Sequence, residues 1–152
     1  MINVLISDPF VEQVRPELLE RAAQAALDQQ SAPEGDLSIV IEDDENLRQL
    51  NSDFLGIDAP TDVLSFPSGE EEVDPETGQP YLGDVIISLP RALEQSAAAG
   101  HNVLDEVQLL VVHGVLHLLG HDHAETEEKA IMWAAQSEIL RGLNVRLNRL
   151  PE

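Results

Sequence analysis

Apolar residues recur along the chain with two different periods, one typical of strands and one typical of helices. Short apolar runs bounded by turn residues predict four strands, at residues 2–6, 37–41, 61–66 and 82–88. Longer stretches with apolar positions three or four residues apart predict five helices, which begin near residues 16, 43, 88, 102 and 125. Helix-capping side chains and glycines mark the ends of these helices.

The order of these elements predicts an α+β fold. Strands and helices alternate early and helices dominate late, so we expect a single domain over residues 1–152, with a small mixed β-sheet packed with about five helices. The strand at 82–88 is expected to lie antiparallel to the strand at 61–66, across a turn-rich connection. Most of that connection, residues 68–80, is acidic and is expected to form an exposed, mobile loop.

The composition is that of an acidic protein without cysteine. Asp and Glu number 29 against 8 Lys and Arg, which gives a formal net charge of −21. No basic leader precedes an apolar run and no apolar stretch is long enough to span a bilayer, so a soluble, cytoplasmic protein without a membrane partner is expected. The charge alone argues against a polyanionic substrate, because nucleic-acid binders usually carry a basic surface. The few cations include a C-terminal group, Arg141, Arg146 and Arg149.

Three histidines carry the strongest chemical signal in the sequence. His113 and His117 are four residues apart on an apolar predicted helix, so their rings lie on one face, one turn apart. Gly120 can adopt the left-handed conformation that ends a helix, and the chain can then return His123 to the same point in space. Three imidazole ligands with a fourth position open are typical of a catalytic zinc site. We therefore expect one Zn²⁺ per chain.

Two alternatives to this interpretation are open in the sequence. A histidine in a buried helix is often an ordinary core residue, and His121 competes with His123 for the third ligand position. Asp122 lies between them and is expected to orient a ligand imidazole. Asp62 and Asp84, on neighbouring predicted strands, face either the metal cleft or solvent at the strand edge.

The spacing H-x-x-x-H-x-x-G-x-x-H is shared with the metzincin metalloproteases, so the metal helix is expected to be zincin-like. Those enzymes need a glutamate directly after the first histidine, as general base. Gly114 occupies that position in this chain and carries no proton acceptor. The array without its glutamate points away from peptide hydrolysis.

Three ordered motifs resemble those of the YbeY family of bacterial endoribonucleases. They are H-G-V-L-H-L-L-G-H-D-H at 113–123, L-N-S-D-F-L-G-I-D-A-P-T-D-V-L-S-F-P at 50–67 and L-G-D-V-I-I-S at 82–88. The resemblance implies a zinc-dependent endoribonuclease selective for single-stranded RNA, with His113, His117 and His123 as metal ligands. It also implies maturation of the 3′ end of small-subunit ribosomal RNA and a role in ribosome quality control. The implied partners are ribosomal RNA and small-subunit ribosomal proteins, not DNA.

The sequence departs from the family pattern at one position. The family usually has an arginine after the aromatic residue of its L-N-x-x-(F/Y)-R-G segment, and Leu55 stands there. Phosphodiester cleavage needs a cation for the developing charge, and Arg48, on the same predicted helix, is the candidate catalytic substitute. The alternative is that Arg48 is a solvated helix residue. Two other functions stay open: a zinc hydrolase for a peptide or small molecule, and a ribosome-assembly binding module with weak nuclease activity.

Overall fold

The sheet is mixed and has four strands. The computed structural model describes residues 1–32, 35–68, 73, 75–145 and 147. The strands β1 (Ile2–Ile6), β2 (Asp36–Glu42), β3 (Val63–Pro67) and β4 (Tyr81–Ser88) are arranged in the order β1-β2-β4-β3. β1, β2 and β4 run parallel, and β3 pairs antiparallel with β4. The predicted mixed sheet and the predicted antiparallel pair are both confirmed.

In the part of the chain that the structure describes, five α-helices accompany the sheet, as predicted: α1 (Pro16–Gln29), α2 (Asp44–Leu55), α3 (Leu89–Ala99), α4 (Val103–Leu118) and α5 (Thr126–Gly142). Three of them begin at a capping side chain that accepts a hydrogen bond from a first-turn backbone N–H, which satisfies a donor without a partner in the helix. The caps are Asp43 for α2, Ser88 for α3 and Asn102 for α4. Because capping is decided by neighbouring residues, the sequence predicts these helix starts well.

The core lies on one face of the sheet. Leu37, Ile39 and Ile41 of β2 are fully buried, whereas the side chains between them are only partly buried. Successive side chains of a strand point to opposite faces, so the buried set faces the helices. α4 is at the centre of the core and packs against α1, α3, α5, β3 and β4. Its burial on nearly all sides explains why it is apolar almost all round.

The strand β3 starts later than predicted, at Val63 instead of Thr61. The carboxylate of Asp62 accepts a hydrogen bond from the Val63 backbone N–H at 2.8 Å. This local hydrogen bond occupies the backbone N–H at the point where the strand begins. The acidic connection predicted at 68–80 lies partly outside the described residues, which leave out 69–72 and 74. Among the described residues, no helix is both long and apolar enough to cross a membrane.

Candidate metal centre

The end of α4 is shaped by a glycine turn. The backbone N–H of Gly120 bonds to the carbonyl of His117, and that of His121 bonds to the carbonyl of Leu116, each at 3.0 Å. Gly120 itself has φ of +98°, a region that glycine enters without a steric penalty. This is the Schellman arrangement that terminates helices. The predicted turn at Gly120 is confirmed, and it reverses the chain so that the next residues approach α4.

The turn brings three histidines together. One ring nitrogen from each of His113, His117 and His123 lies within 4.8 Å of the other two, close enough to hold one metal ion. Among the described residues, this is the single group of three or more His, Asp or Glu side chains with that property. His113 and His117 are half-buried and His123 is exposed, so the group is open to solvent on one side.

Burial keeps the two helical histidines neutral. The pKa of His113 is lowered from 6.5 to about 4, mainly by desolvation and also by the neighbouring histidines, against the opposing effect of its hydrogen bond to Gln136. Desolvation also lowers the pKa of His117, against a hydrogen bond with the backbone of His121. A neutral imidazole is the form that binds a metal ion. The donor set therefore fits a divalent transition metal at neutral pH.

Gln136 of α5 fixes the orientation of His113. Its Oε1 lies 3.0 Å from Nδ1 of His113, and the residue is only 2% exposed. An amide oxygen only accepts, so Nδ1 of the ring donates and Nε2 carries the lone pair that a metal needs. Gln136 was not among the site residues predicted from the sequence. A detectable signal was present, because Gln136 is a polar residue among the apolar positions Met132, Ala135, Ile139 and Leu140 of the same helix.

Trp133 forms the side of the metal centre next to α5. The centroid of its ring system lies 5.7 Å from that of His113 and 5.6 Å from that of His123, with edge-to-face geometry in both cases. The ammonium of Lys129 lies 5.6 Å from the same ring centroid. The indole thus limits the space in which the two imidazoles can rotate.

Gly114 has no room for a side chain. A Cβ atom at this position would lie 2.5 Å from Cγ1 of Val85 and 3.2 Å from Oγ of Ser65. The Ser65 hydroxyl also donates a hydrogen bond to the Gly114 carbonyl at 3.0 Å. α4 therefore packs directly on β3 and β4 at the position where metalloproteases carry their glutamate. A glutamate at this position is therefore excluded by the close packing against Val85 and Ser65. The glycine itself supplies no general base.

The remaining histidine and aspartates of the motifs have separate roles. His121 pairs through Nε2 with Oε1 of Gln30 at 2.6 Å, and it is not part of the three-histidine group. Asp122 accepts a hydrogen bond from the His123 backbone N–H at 2.7 Å, so it holds the backbone of that residue. Asp84 accepts from the hydroxyl of Tyr81. It alternates with Val85, whose side chain faces Gly114, so Asp84 lies on the opposite face of the sheet from α4.

Arg48 is paired with carboxylates. Its guanidinium contacts Glu45 at 2.5 Å and also contacts Asp58, and these two partners raise its pKa. Leu55, where the family has arginine, is 58% exposed at the end of α2. Both residues lie on the surface. Among the described residues, no hydrogen bond or ring contact joins Arg48 or Leu55 to the three histidines.

Three imidazoles around one open side, on a buried helix that packs against a mixed sheet, are typical of metal-dependent hydrolases. The missing glutamate separates this centre from the metalloproteases.

Comparison with known proteins gives the family. The family model for "Endoribonuclease YbeY" matches residues 6–144. The chain is 46% identical over 130 residues to an endoribonuclease YbeY of Geobacillus kaustophilus, covering 82% of this chain and 83% of that one. It is 42% identical over 146 residues to one of Dehalococcoides mccartyi, covering 89% and 91%. The chain therefore belongs to the YbeY endoribonuclease family, and the predicted resemblance is confirmed.

A solved structure shares the fold. The solution structure of TM1509 from Thermotoga maritima superposes with a TM-score of 0.64 at 24% identity, over 94% of this chain and 89% of that chain. The predicted α+β class is thus confirmed by the observed elements and by this neighbour. Endoribonucleases are hydrolases of RNA phosphodiester bonds. The two alternative functions, a zinc hydrolase of other substrates and a binding module, receive no support from the relatives.

Proposed function

We propose that this chain is a metal-dependent endoribonuclease that cleaves single-stranded RNA in the cytoplasm, matures the 3′ end of small-subunit ribosomal RNA and takes part in ribosome quality control. The observation that carries the proposal is the open three-histidine group in a chain that matches its family over residues 6–144. The strands β2, β3 and β4 and the five helices lie within that matched region, which begins at the last residue of β1. The name of the relatives supports RNA cleavage.

In this proposal His113, His117 and His123 hold one Zn²⁺ per chain. When bound, the ion supplies a Lewis acid that stabilises negative charge and makes water more acidic. The protein's own contribution is positional: Gln136 keeps the donor nitrogen of His113 available, and Asp122 holds the backbone of His123. Histidine ligands carry no negative charge, so they leave the double positive charge of a bound Zn²⁺ uncompensated. With the ion bound, the site would therefore attract phosphate locally, inside an otherwise acidic protein.

The residues of α2 are poorly suited to stabilise the negative charge that develops on the phosphate during cleavage. Leu55 supplies no cation, and Arg48 reaches a substrate only by leaving both Glu45 and Asp58. We therefore expect slow cleavage of free RNA. The formal charge of −21 also opposes encounter with a polyanion, although salt screens the repulsion beyond about 8 Å. A basic small-subunit ribosomal protein bound to the RNA is the partner that offsets this electrostatic repulsion.

The test is cleavage by the purified protein. Single-stranded RNA that carries the 3′ precursor sequence of small-subunit ribosomal RNA is incubated with zinc-loaded protein, with chelated protein and with the His113→Ala variant. We expect cleavage only by the loaded wild-type protein, and faster cleavage when the RNA is presented on the small ribosomal subunit. Equal cleavage of a fully double-stranded control, or undiminished cleavage after chelation, contradicts the proposal.

A further inference from the structure

A row of side chains on one side of α5 extends from the three histidines along the protein surface. Lys129, Trp133, Ser137 and Arg141 follow each other at four-residue intervals, so their side chains form a gently winding stripe on the helix. Trp133 is the link to the metal centre, because its ring contacts both His113 and His123. We define these four residues as the α5 stripe.

The two cations of the α5 stripe differ from Arg48 and Arg91 in their surroundings. Arg48 is paired with Glu45 and Asp58, and Arg91 is paired with Asp44 at 2.9 Å. Lys129 and Arg141 form no salt bridge with any described residue, and both are exposed. Their positive charge is therefore available to a ligand next to the histidines, in a protein whose formal charge is −21.

A pocket of about 230 Å³ lies along the α5 stripe, next to Trp133 and Arg141. Trp133 forms one wall, Ser137 and Gln136 add polar groups, and Arg141 lies at the rim. The remaining lining is apolar, from Leu140, Val145 and Leu147. This volume is below the roughly 300–1,000 Å³ of pockets for drug-sized ligands, so it suits a single ring system. An aromatic wall with a few hydrogen-bonding groups is what a nucleobase requires.

We propose that the α5 stripe is a binding site for a single-stranded RNA segment, in which Lys129 and Arg141 bind backbone phosphates and the pocket beside Arg141 takes one nucleobase against Trp133. This inference rests on the proposed endoribonuclease function. Lys129 and Arg141 are twelve positions apart on the helix, a distance of about 18 Å along its axis that spans several successive phosphates of one strand. The contact of Trp133 with the histidines puts the bound base beside the scissile position.

Charge and ring chemistry together favour RNA as the occupant. Unpaired cations flanking an aromatic ring are the combination by which proteins hold single strands without reading their sequence. An acidic protein segment offers carboxylates to the cations, but it does not repeat a negative charge and a planar ring at every unit of the chain as a nucleic-acid strand does. A duplex would keep its bases stacked inside and leave the pocket empty, which agrees with selectivity for single strands.

Binding can be followed directly, because Trp133 is the one tryptophan of the chain. The probe is a short single-stranded 2′-O-methyl RNA, added to zinc-loaded protein while tryptophan fluorescence and the anisotropy of a dye on the RNA are recorded. We expect quenching of Trp133 and a several-fold weaker affinity for Lys129→Gln and for Arg141→Gln. Each substitution should also reduce the slope of log affinity against log salt by about 0.7, the amount for one phosphate contact on a single strand.

The matched control is Arg15→Gln. Arg15 is an exposed arginine at the start of α1, and the substitution removes the same unit of charge. We expect it to leave both the affinity and the salt slope unchanged. Trp133→Leu should weaken RNA binding by about tenfold, and Trp133→Phe should restore most of it, since stacking needs a ring. Metal content and thermal unfolding of both Trp133 variants show whether the centre is still folded.

The outcomes separate this inference from the proposed function. If Arg15→Gln weakens binding as much as the α5 variants, or if saturating RNA leaves Trp133 fluorescence unchanged, the α5 stripe is not the RNA site. If RNA cleavage persists at wild-type kcat/KM in the Lys129→Gln, Arg141→Gln double variant, the inference fails while the endoribonuclease stands. If zinc-loaded protein binds RNA through the stripe but does not cleave it, the proposed function fails while the binding site stands.

Discussion

The cations of α2 and of α5 differ in what lies around them. On α2, Arg48 is held by Glu45 and Asp58, and the adjoining end of the helix exposes the apolar side chains of Phe54 and Leu55. On α5, Lys129 contacts the Trp133 ring and forms no salt bridge within the described chain. One region presents a neutralised arginine, and the other presents positive charge beside a metal centre.

This difference shows how an acidic protein can use few cations. Exposed ion pairs add little to stability, about 0–1 kcal/mol each. They do, however, cancel the charge that a phosphate would otherwise meet. With 29 acidic residues in the chain, a cation is useful for binding RNA only where no carboxylate reaches it. The following predictions test whether function resides in the α4–α5 region, and they run from the largest expected effect to the smallest.

Removal of a metal ligand should have the largest effect. His123→Ala should lose stoichiometric zinc and reduce RNA cleavage by about a thousandfold or more, which corresponds to about 4 kcal/mol of transition-state stabilisation. The matched variant is His121→Ala, which should keep its zinc because the His121 ring is paired with Gln30. Metal analysis by mass spectrometry and cleavage rates check both. Zinc retained in His123→Ala and lost in His121→Ala would show that the third ligand has been misassigned.

Lowering the pH should destabilise the metal-free protein through the same region. The pKa of His113 is about 4 in the folded chain against 6.5 when unfolded, so the unfolded state binds the proton more tightly. Stability is therefore full above pH 6.5 and falls as the pH drops toward 4, by at most about 3 kcal/mol from this residue. The carboxylate of Glu45 on α2, whose pKa is lowered by Arg48, loses its contribution only below its ordinary value of 4.5.

The measurement is chemical denaturation of metal-free wild-type protein and of His113→Gln at several pH values between 7 and 4. The variant lacks the titrating ring, so its stability should depend less on pH over this interval. Identical pH profiles for the two proteins would mean that burial of His113 is not what links stability to pH.

Loss of the Gln136 contact should weaken metal binding by about 10–100-fold, the usual effect of losing the hydrogen-bond partner of a ligand histidine. Gln136→Leu removes the acceptor, whereas Gln136→Glu keeps one and should retain affinity. The control is Gln108→Leu, since Gln108 is also buried, lies on α4, and has a side-chain oxygen without a hydrogen-bond partner. Competition with a zinc chelator measures all three affinities. Equal losses in Gln136→Leu and Gln108→Leu would indicate general disturbance of the core.

Changes on α2 should have the smallest effects. Leu55→Arg restores the family's arginine and should speed RNA cleavage by about tenfold if that position stabilises charge on the phosphate. Arg48→Gln should change the rate little, because Glu45 and Asp58 already neutralise that cation. Single-turnover cleavage rates decide between them. An unchanged rate in Leu55→Arg together with a clear loss in Arg48→Gln would reverse the assignment and make Arg48 the charge-stabilising residue.

The amino-acid sequence by itself determined the elements and the grouping of the three histidines. The periods of the apolar positions predicted the strands and helices, and the caps Asp43, Ser88 and Asn102 lie at the predicted helix starts. The three-histidine group was predictable for the same reason, because a four-residue spacing and a glycine turn are settled within about ten residues of chain. Such features depend on local backbone geometry, which neighbouring residues set.

Only the tertiary structure decided which partner each functional side chain has. His113 meets Gln136, 23 residues away, and His121 meets Gln30, 91 residues away. Arg48 was a plausible free cation in the sequence, and the fold places it against Asp58. These pairings depend on how one element packs against another. Apolar periodicity gives the buried face of a helix but not the neighbour it meets or the position along its axis.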